Sequence, residues 1–149
     1  MTISEILAAA HKRAADRGLP YQGALSPVEA EEVRALIPAS TLIDVRNRAE
    51  LDFVGRIPGS VEIEWQSYPD GQPNPYFLAH LEQQVSKEAT VMFICRSGAR
   101  SHAAATAASA AGYTQCYNVL EGFQGDKDAN GHRDSIGGWR LAGLPWYQS

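Results

Sequence analysis

The sequence contains little cysteine and no long apolar stretch. Its 149 residues include only two cysteines, Cys95 and Cys116, which excludes a framework of several disulfides and fits a reducing compartment. No apolar run reaches the length of a membrane span, and the N-terminus lacks the charged start and apolar core of a secretory signal. We therefore expect a cytoplasmic protein that makes no contact with a membrane.

Positive charge is also scarce. Thirteen Lys and Arg residues stand against seventeen Asp and Glu residues, and the formal net charge is -4 at pH 7. This balance argues against general nucleic-acid binding, and no basic stripe runs along the chain. The length and a hydrophobic content of 44% fit a single domain over residues 1–149 with a core of its own.

One segment combines an apolar run with a reactive side chain. Val91 to Ile94 lead directly into Cys95, a short loop follows, and residues 101–111 are mostly alanine. The apolar run predicts a buried parallel strand, and the alanines predict a helix. In such a unit the N–H groups of the loop and of the helix N-terminus converge on the thiol, so they form an anion site that favours the thiolate.

The surroundings of Cys95 are positive although the chain is acidic. Arg96 and Arg100 flank the turn, and no Asp or Glu occurs from Ala89 to Leu120. An anionic substrate is therefore expected to be drawn to this loop. A buried structural cysteine is the alternative interpretation of Cys95, and the two flanking arginines argue against it.

Three segments resemble the rhodanese family, in the order in which that family has them. They are Cys95-Arg96-Ser97-Gly98-Ala99-Arg100-Ser101; upstream, Leu42-Ile43-Asp44-Val45-Arg46 with Glu50, followed by Gly55-Arg56-Ile57-Pro58-Gly59-Ser60; and downstream, Gly112-Tyr113 with Asn118-Val119-Leu120-Glu121-Gly122-Phe123. Together they define a core over residues 22–123. The chain departs from the family at Arg56, where a histidine is usual, and in an unusual tail from Gly125 to Trp146.

The resemblance implies an α/β, rhodanese-like fold, with a central, mostly parallel β-sheet and helices on both faces. It implies a sulfurtransferase that takes sulfane sulfur from a small anionic donor such as thiosulfate and carries it as a persulfide on Cys95. A thiol or cyanide-like acceptor, or a partner protein, then receives the sulfur. The alternative is a non-catalytic or relay module that binds sulfur or passes it to a partner protein. Because the intermediate is covalent, neither a cofactor nor a metal is expected.

The resemblance also implies that substrate is bound by the loop that follows the cysteine. These residues are Arg96, Ser97, Gly98, Ala99, Arg100 and Ser101. Arg96 is expected to contact the sulfonate end of the donor, since a guanidinium suits oxyanions. Two interpretations of Arg100 stay open: the same contact, or an ion pair beneath the loop with Asp44, Glu50 or Glu62.

Other residues near the loop are expected to support it. Asp44 and Arg46 are predicted to lie behind the substrate-binding residues, and a buried Asp at a strand end must be paired. Gly98 is expected to allow a backbone conformation or close approach that a side chain would block. His102 is expected to point outward, and Cys116 is expected to be a reduced core thiol.

Cysteine phosphatases and arsenate reductases are the nearest chemical alternative. They also place a cysteine before an anion-binding loop that ends in arginine, but five residues separate the two in those proteins. Four residues separate Cys95 from Arg100. The shorter loop fits a sulfane sulfur better than a bulky tetrahedral oxyanion, so we expect no phosphatase activity.

Strands alternate with helices along the chain, which predicts a parallel sheet between layers of helices. Strands are predicted at 22–25, 41–45, 60–63, 91–94 and 115–119, and helices at 2–17, 27–37, 48–54, 76–86 and 101–111. An N-terminal helix segment (1–19) precedes the core, and a polar loop with an aromatic anchoring segment (124–149) follows it.

The tail has two features of interest. Asp126, Asp128 and Asn130 are spaced like the start of a calcium-binding EF-hand loop, but Gly137 stands at the twelfth position where Glu is required, so we interpret them as a polar turn. The tail is predicted to pack back on the domain through Trp139, Leu141, Leu144 and Trp146. His132 and Arg133 are placed on the rim of the site, where they would help to select the acceptor.

Overall fold

A five-stranded parallel sheet forms the centre of the computed structural model, which describes all of residues 1–149. The strands are β1 (Gly23–Leu25), β2 (Thr41–Asp44), β3 (Val61–Glu62), β4 (Thr90–Ile94) and β5 (Gln115–Val119), in the order β1-β5-β4-β2-β3. The helices are α1 (Ile3–Arg17), α2 (Pro27–Leu36), α3 (Arg48–Phe53), α4 (Phe77–Gln84) and α5 (Ala99–Ala110). The expected α/β fold is confirmed.

Two hydrophobic cores lie on the two faces of the sheet, and β4 contributes to both. Val91, Phe93 and Cys95 belong to the core under α4 and α5, whereas Met92 and Ile94 belong to the core under α1 and α2. This alternation follows from the strand geometry, in which successive side chains point to opposite faces. Cys95 therefore leaves the sheet on the side where α5 packs.

The helix after the cysteine begins earlier than predicted. It starts at Ala99 because Gly98, with φ of +112°, reverses the chain immediately before it. This φ lies in the region that side chains disfavour, and so the turn requires glycine. As a result, Arg100 and Ser101 lie in the first turn of α5, next to the sulfur.

The tail packs against the domain without forming a helix or strand. Trp139 is fully buried and donates an Nε1–H hydrogen bond to the carbonyl oxygen of Pro145. Trp146 lies edge-on to Phe123, with ring centroids 6.3 Å apart. The prediction for Leu141 was wrong, because that side chain is 49% exposed. Anchoring thus depends mainly on aromatic contacts.

Backbone pairing adds to this attachment. Arg56 and Tyr147 exchange two backbone hydrogen bonds of 2.7 and 2.9 Å in an isolated antiparallel bridge. The Arg56 side chain also donates to Asp52 at 2.6 Å. The residue that departs from the family pattern therefore ties the tail to α3.

None of the helices combines the length and apolar character that a membrane span requires.

Candidate active site

The Cys95 side chain is enclosed at the end of β4, with an exposure of 1%. Its Sγ accepts a hydrogen bond from the Gly98 N–H at 3.1 Å and lies 3.3 Å from the Ser101 Oγ. Both contacts exist because the chain folds back at Gly98 and enters α5 directly. The backbone donor at Gly98 stabilises negative charge on the sulfur.

The N-terminus of α5 supplies further donors beside the sulfur. The N–H groups of Ala99, Arg100 and Ser101 have no acceptor within the protein, as is usual for the first turn of a helix. Together with the helix dipole, these groups give the loop a positive potential. The predicted anion site is therefore built from backbone groups as well as from arginines.

Arg100 forms an ion pair with Glu50 of α3. Its Nη1 and Nη2 donate to the two carboxylate oxygens at 2.6 and 2.9 Å. Burial by itself would raise the pKa of the Glu50 carboxyl, but the hydrogen bonds and charge of Arg100 leave this pKa below its ordinary value of 4.5. Among the three carboxylates considered for Arg100, the structure selects Glu50, and Asp44 and Glu62 have other partners.

Arg96 differs from Arg100 because its side chain is exposed and has no hydrogen-bonding partner in the protein. Both arginines line a cleft of about 220 Å³. The other lining residues are Asn47, Glu50, Gln66, Ser67, Tyr68, Pro69 and Gly71. The cleft thus presents one free guanidinium and one that is neutralised by a carboxylate.

Residues 66–75 lie between the predicted strand 60–63 and the predicted helix 76–86, and nothing in the sequence assigns them to the site. The signal that places them there is their position after β3, because open parallel sheets bind ligands at the carboxyl ends of their strands. The Pro- and Gly-rich composition gives no clue to the contacts that the loop makes.

Asp44 and Arg46 form a fully buried ion pair at the end of β2. Arg46 donates to both Asp44 oxygens and, through Nη2, to the Gly55 carbonyl oxygen at 2.9 Å. Its guanidinium also lies 4.0 Å from the centroid of the Phe123 ring. The pair joins β2 to the segments before β3 and after β5, and neither residue lines the cleft.

The segment after β5 holds the Cys95 loop in place. Phe123 N–H donates to the Cys95 carbonyl oxygen at 2.8 Å, and Gln124 N–H donates to the Arg96 carbonyl oxygen at 2.9 Å. Gly122 has a φ of +63°, and a Cβ there would lie 2.5 Å from the Cys95 carbonyl oxygen. Sequence reasoning matched this segment to the family but assigned it no role.

A second missed residue is Asn118 on β5. Its side chain is almost fully buried and accepts a hydrogen bond from the Ser101 hydroxyl at 2.6 Å. The position of Asn118 on a strand among core residues gave no reason to predict a functional role for it.

His102 is exposed, and its Nδ1 lies 2.8 Å from the Tyr21 hydroxyl, without contact to Cys95.

Cys116 has a different environment from Cys95. It is a free thiol buried in the core, and its Sγ donates to the Tyr113 carbonyl oxygen at 3.8 Å. Burial raises the pKa of this thiol to about 12. No cation or helix N-terminus opposes that effect, so this thiol is unreactive in the folded protein.

The polar part of the tail forms a turn around Asp128. Its carboxylate accepts hydrogen bonds from the N–H groups of Asn130 and His132 and from the Ser135 hydroxyl. His132 is exposed, and Arg133 donates to the Gly125 carbonyl oxygen at 2.8 Å. Neither residue lines the cleft beside Arg96.

Comparison with known proteins gives consistent matches. The family model described as a rhodanese-like domain matches residues 29–129. An uncharacterised protein of Rickettsia conorii is 35% identical over 111 residues, which cover 70% of this chain and 80% of the relative. The crystal structure of Rv0390 from M. tuberculosis has a TM-score of 0.80 at 44% identity and covers 87% of this chain and 99% of that one.

A more distant structure shares only the fold. The polysulfide-sulfur transferase homodimer from Wolinella succinogenes has a TM-score of 0.60 at 23% identity. The alignment covers 100% of this chain and 95% of that one.

Proposed function

The chain belongs to the rhodanese-like family, and on that premise we propose that it is a sulfurtransferase that carries sulfane sulfur as a persulfide on Cys95. Membership of this family supports sulfur transfer in general. The observation that carries the specific proposal is the hydrogen bond from the Gly98 N–H to the Cys95 Sγ at the N-terminus of α5, with the free Arg96 next in the chain lining a cleft.

The first half of the proposed reaction loads the cysteine. The Cys95 thiolate attacks the outer sulfur of thiosulfate, a new S–S bond forms to that sulfur, and the original S–S bond breaks. Sulfite leaves with the electron pair of the broken bond, and the negative charge stays on the persulfide. Backbone donors around the sulfur stabilise this charge, and no separate cofactor takes part.

The second half of the reaction unloads the cysteine. A nucleophilic acceptor, such as cyanide or a thiolate, attacks the outer sulfur of the persulfide and releases the Cys95 thiolate. With cyanide the product is thiocyanate, and with a protein thiolate the product is a persulfide on the partner. The cleft beside Arg96 suits a small dianionic donor, because it holds a guanidinium without a partner in the protein.

The experiment is an intact-mass measurement after incubation with thiosulfate, followed by addition of cyanide. Wild-type protein and the Cys116→Ser variant are expected to gain one sulfur atom and to lose it as thiocyanate. The Cys95→Ser variant is expected to gain nothing. A sulfur adduct that survives in Cys95→Ser, or one that requires Cys116, contradicts the proposal.

If thiosulfate gives no adduct, a persulfidated protein is the next donor to test. Loading by that donor alone identifies a relay between proteins, in which Cys95 has the same chemical role. Failure of both donors with folded protein contradicts the persulfide mechanism and leaves a non-catalytic binding module as the function.

A further inference from the structure

The Ser101 hydroxyl has one proton and three nearby acceptors. The Asn118 Oδ1 lies at 2.6 Å, the Gly98 carbonyl oxygen at 3.2 Å and the Cys95 Sγ at 3.3 Å. Ser101 is fully buried and Asn118 is 4% exposed, so bulk water does not compete for these bonds. The position of this proton determines whether Ser101 donates to the sulfur or accepts from it.

The Gly98 carbonyl oxygen fixes the orientation of the Asn118 amide. Asn118 Nδ2 donates to that oxygen at 3.3 Å, and the His102 N–H donates to it at 3.1 Å. Turning the amide over would place two acceptors against each other, so its oxygen must face Ser101. Since the Gly98 oxygen already has two donors, the Ser101 proton goes to Asn118 at the shortest of the three distances.

We infer that Asn118 is a positioning residue that holds the Ser101 proton away from the Cys95 sulfur and so favours the thiol over the thiolate before the sulfur is loaded. With its proton given to Asn118, Ser101 can only accept from Cys95, and the sulfur at 3.3 Å must then carry the hydrogen. When the thiol loses its proton to solvent, the single Ser101 proton can bond either to Asn118 or to the thiolate, and not to both. The Gly98 N–H favours the thiolate, and the Ser101–Asn118 pair opposes it.

The inference rests on the proposed role of Cys95, and it adds a residue that controls the balance of thiol and thiolate at the same site. A smaller thiolate fraction makes the unloaded cysteine react more slowly with oxidants and alkylating agents, while the remaining thiolate still attacks the donor. Other charged and titratable groups face this region from the elements packed around it: Arg17, Arg96, Arg100, Glu50, Asp44, Tyr21, His102 and Glu121. The variants below replace none of these residues, and the Ser101→Ala background separates an effect through Ser101 from the loss of the Asn118 contact with Tyr21.

The test measures the rate of Cys95 alkylation by iodoacetamide against pH, quantified on the Cys95 peptide by mass spectrometry. The Asn118→Leu variant frees the Ser101 proton for the sulfur. We expect its profile to move to lower pH by roughly half to one unit, so that alkylation on the acid limb is roughly three- to ten-fold faster. The Asn118→Asp variant holds the proton more strongly and adds negative charge, so its profile moves to higher pH.

Two further variants separate positioning from general damage. In a Ser101→Ala background, Asn118→Leu is expected to leave the profile unmoved, because the residue through which it acts is absent. Val33→Ala, a cavity variant in the core on the other face of the sheet, lowers stability without moving the profile.

Three results would overturn the inference. The profiles of Asn118→Leu and Asn118→Asp could move in the same direction, neither profile could move, or the shift caused by Asn118→Leu could persist in the Ser101→Ala background. Alkylation needs neither a sulfur donor nor an acceptor. A protein that fails to form a persulfide can therefore still show the opposed shifts, and a failure of the proposed function is distinguishable from a failure of this inference.

Discussion

The Glu50 carboxylate receives two hydrogen bonds from the Arg100 guanidinium, at 2.6 and 2.9 Å, and thereby joins α3 to the first turn of α5. Both side chains are mostly buried, with exposures of 15% and 16%. The pair fixes the start of the helix that follows Cys95. It also leaves Arg96 as the arginine of the cleft that has no partner in the protein.

Replacing Glu50 by Gln is expected to make stability depend less on pH. Arg100 holds the folded-state pKa of Glu50 below its ordinary value of 4.5, so the pair stabilises the protein above that pH and loses this effect as pH falls through the lower, folded value. At neutral pH we expect a loss of about 1–3 kcal/mol in the free energy of unfolding. Urea unfolding at neutral and acidic pH measures the difference.

The matched control is Glu31→Gln, which removes a carboxylate paired with Arg34 on α2. That pair has a single hydrogen bond of 3.0 Å between residues of one helix, and its side chains are more exposed, at 19% and 28%. Its loss is therefore expected to change stability by less than about 1 kcal/mol. An equal loss in the Glu50→Gln variant at neutral and at strongly acidic pH contradicts the prediction.

Replacing Gly122 by Ala is expected to displace the Cys95 loop. The new Cβ would lie 2.5 Å from the Cys95 carbonyl oxygen and from the Arg96 carbonyl carbon, both of them backbone atoms that cannot move alone. We expect a fall in melting temperature and loss of most persulfide formation. Thermal unfolding and the intact-mass assay with thiosulfate measure the two effects.

Gly18→Ala is the control for backbone strain. Gly18 has the same φ of +63°, but a Cβ there meets nothing within 4 Å. Gly18→Ala is expected to lower the free energy of unfolding by about 1–2 kcal/mol, the cost of a left-handed conformation alone, and to leave persulfide formation on Cys95 unchanged. If the two variants lose equal stability and equal loading, steric contact with the loop is not the reason.

Cys116 is expected to remain unmodified while Cys95 reacts. Burial raises the pKa of the Cys116 thiol to about 12, which leaves almost no thiolate near neutral pH. Limited iodoacetamide treatment of the folded protein should add one group, and mass spectrometry of the peptides should find it on Cys95. A second group is expected only after denaturation. Faster labelling at Cys116 than at Cys95 contradicts this.

The local part of the site is predictable from consecutive residues. The strand β4, the turn and α5 follow from an apolar run, a cysteine and an alanine-rich stretch. Each of these is recognised from the helix propensity of the residues or from the spacing of the apolar ones. The start of α5 was misjudged by two residues, since the sequence indicates that a glycine is present but not the φ of +112° at Gly98. The structure places that φ at the point where the helix begins.

Contacts between distant segments could not be derived in this way. Three carboxylates were candidates for Arg100, and only the three-dimensional position of α3 relative to α5 selects Glu50, fifty residues away. The hydrogen bond from the Phe123 N–H to the Cys95 carbonyl oxygen also depends on the fold. Leu141 was misplaced because a segment without a helix or strand has no period that distinguishes its buried side.

Arg96 is expected to contribute to donor binding and little to stability. Its side chain is exposed, has no partner in the protein and lines the cleft. A charge-assisted hydrogen bond to a dianion is worth roughly 1.5–3 kcal/mol, so Arg96→Ala should raise the KM for thiosulfate by about ten-fold or more, with a smaller effect at high salt. Steady-state kinetics at two ionic strengths and a thermal melt test both parts.

Lys12→Ala is the control for net charge, because it removes one positive charge from an exposed position on α1 that pairs only with Asp16. Its KM should stay within about two-fold of wild type, since screened charges far from the cleft act weakly. Arg96→Lys separates charge from shape, because lysine keeps the charge but lacks the planar fork that binds two oxygens. If Arg96→Ala leaves KM unchanged while Arg100→Ala raises it in folded protein, the donor contact belongs to Arg100, and its pair with Glu50 must open on binding.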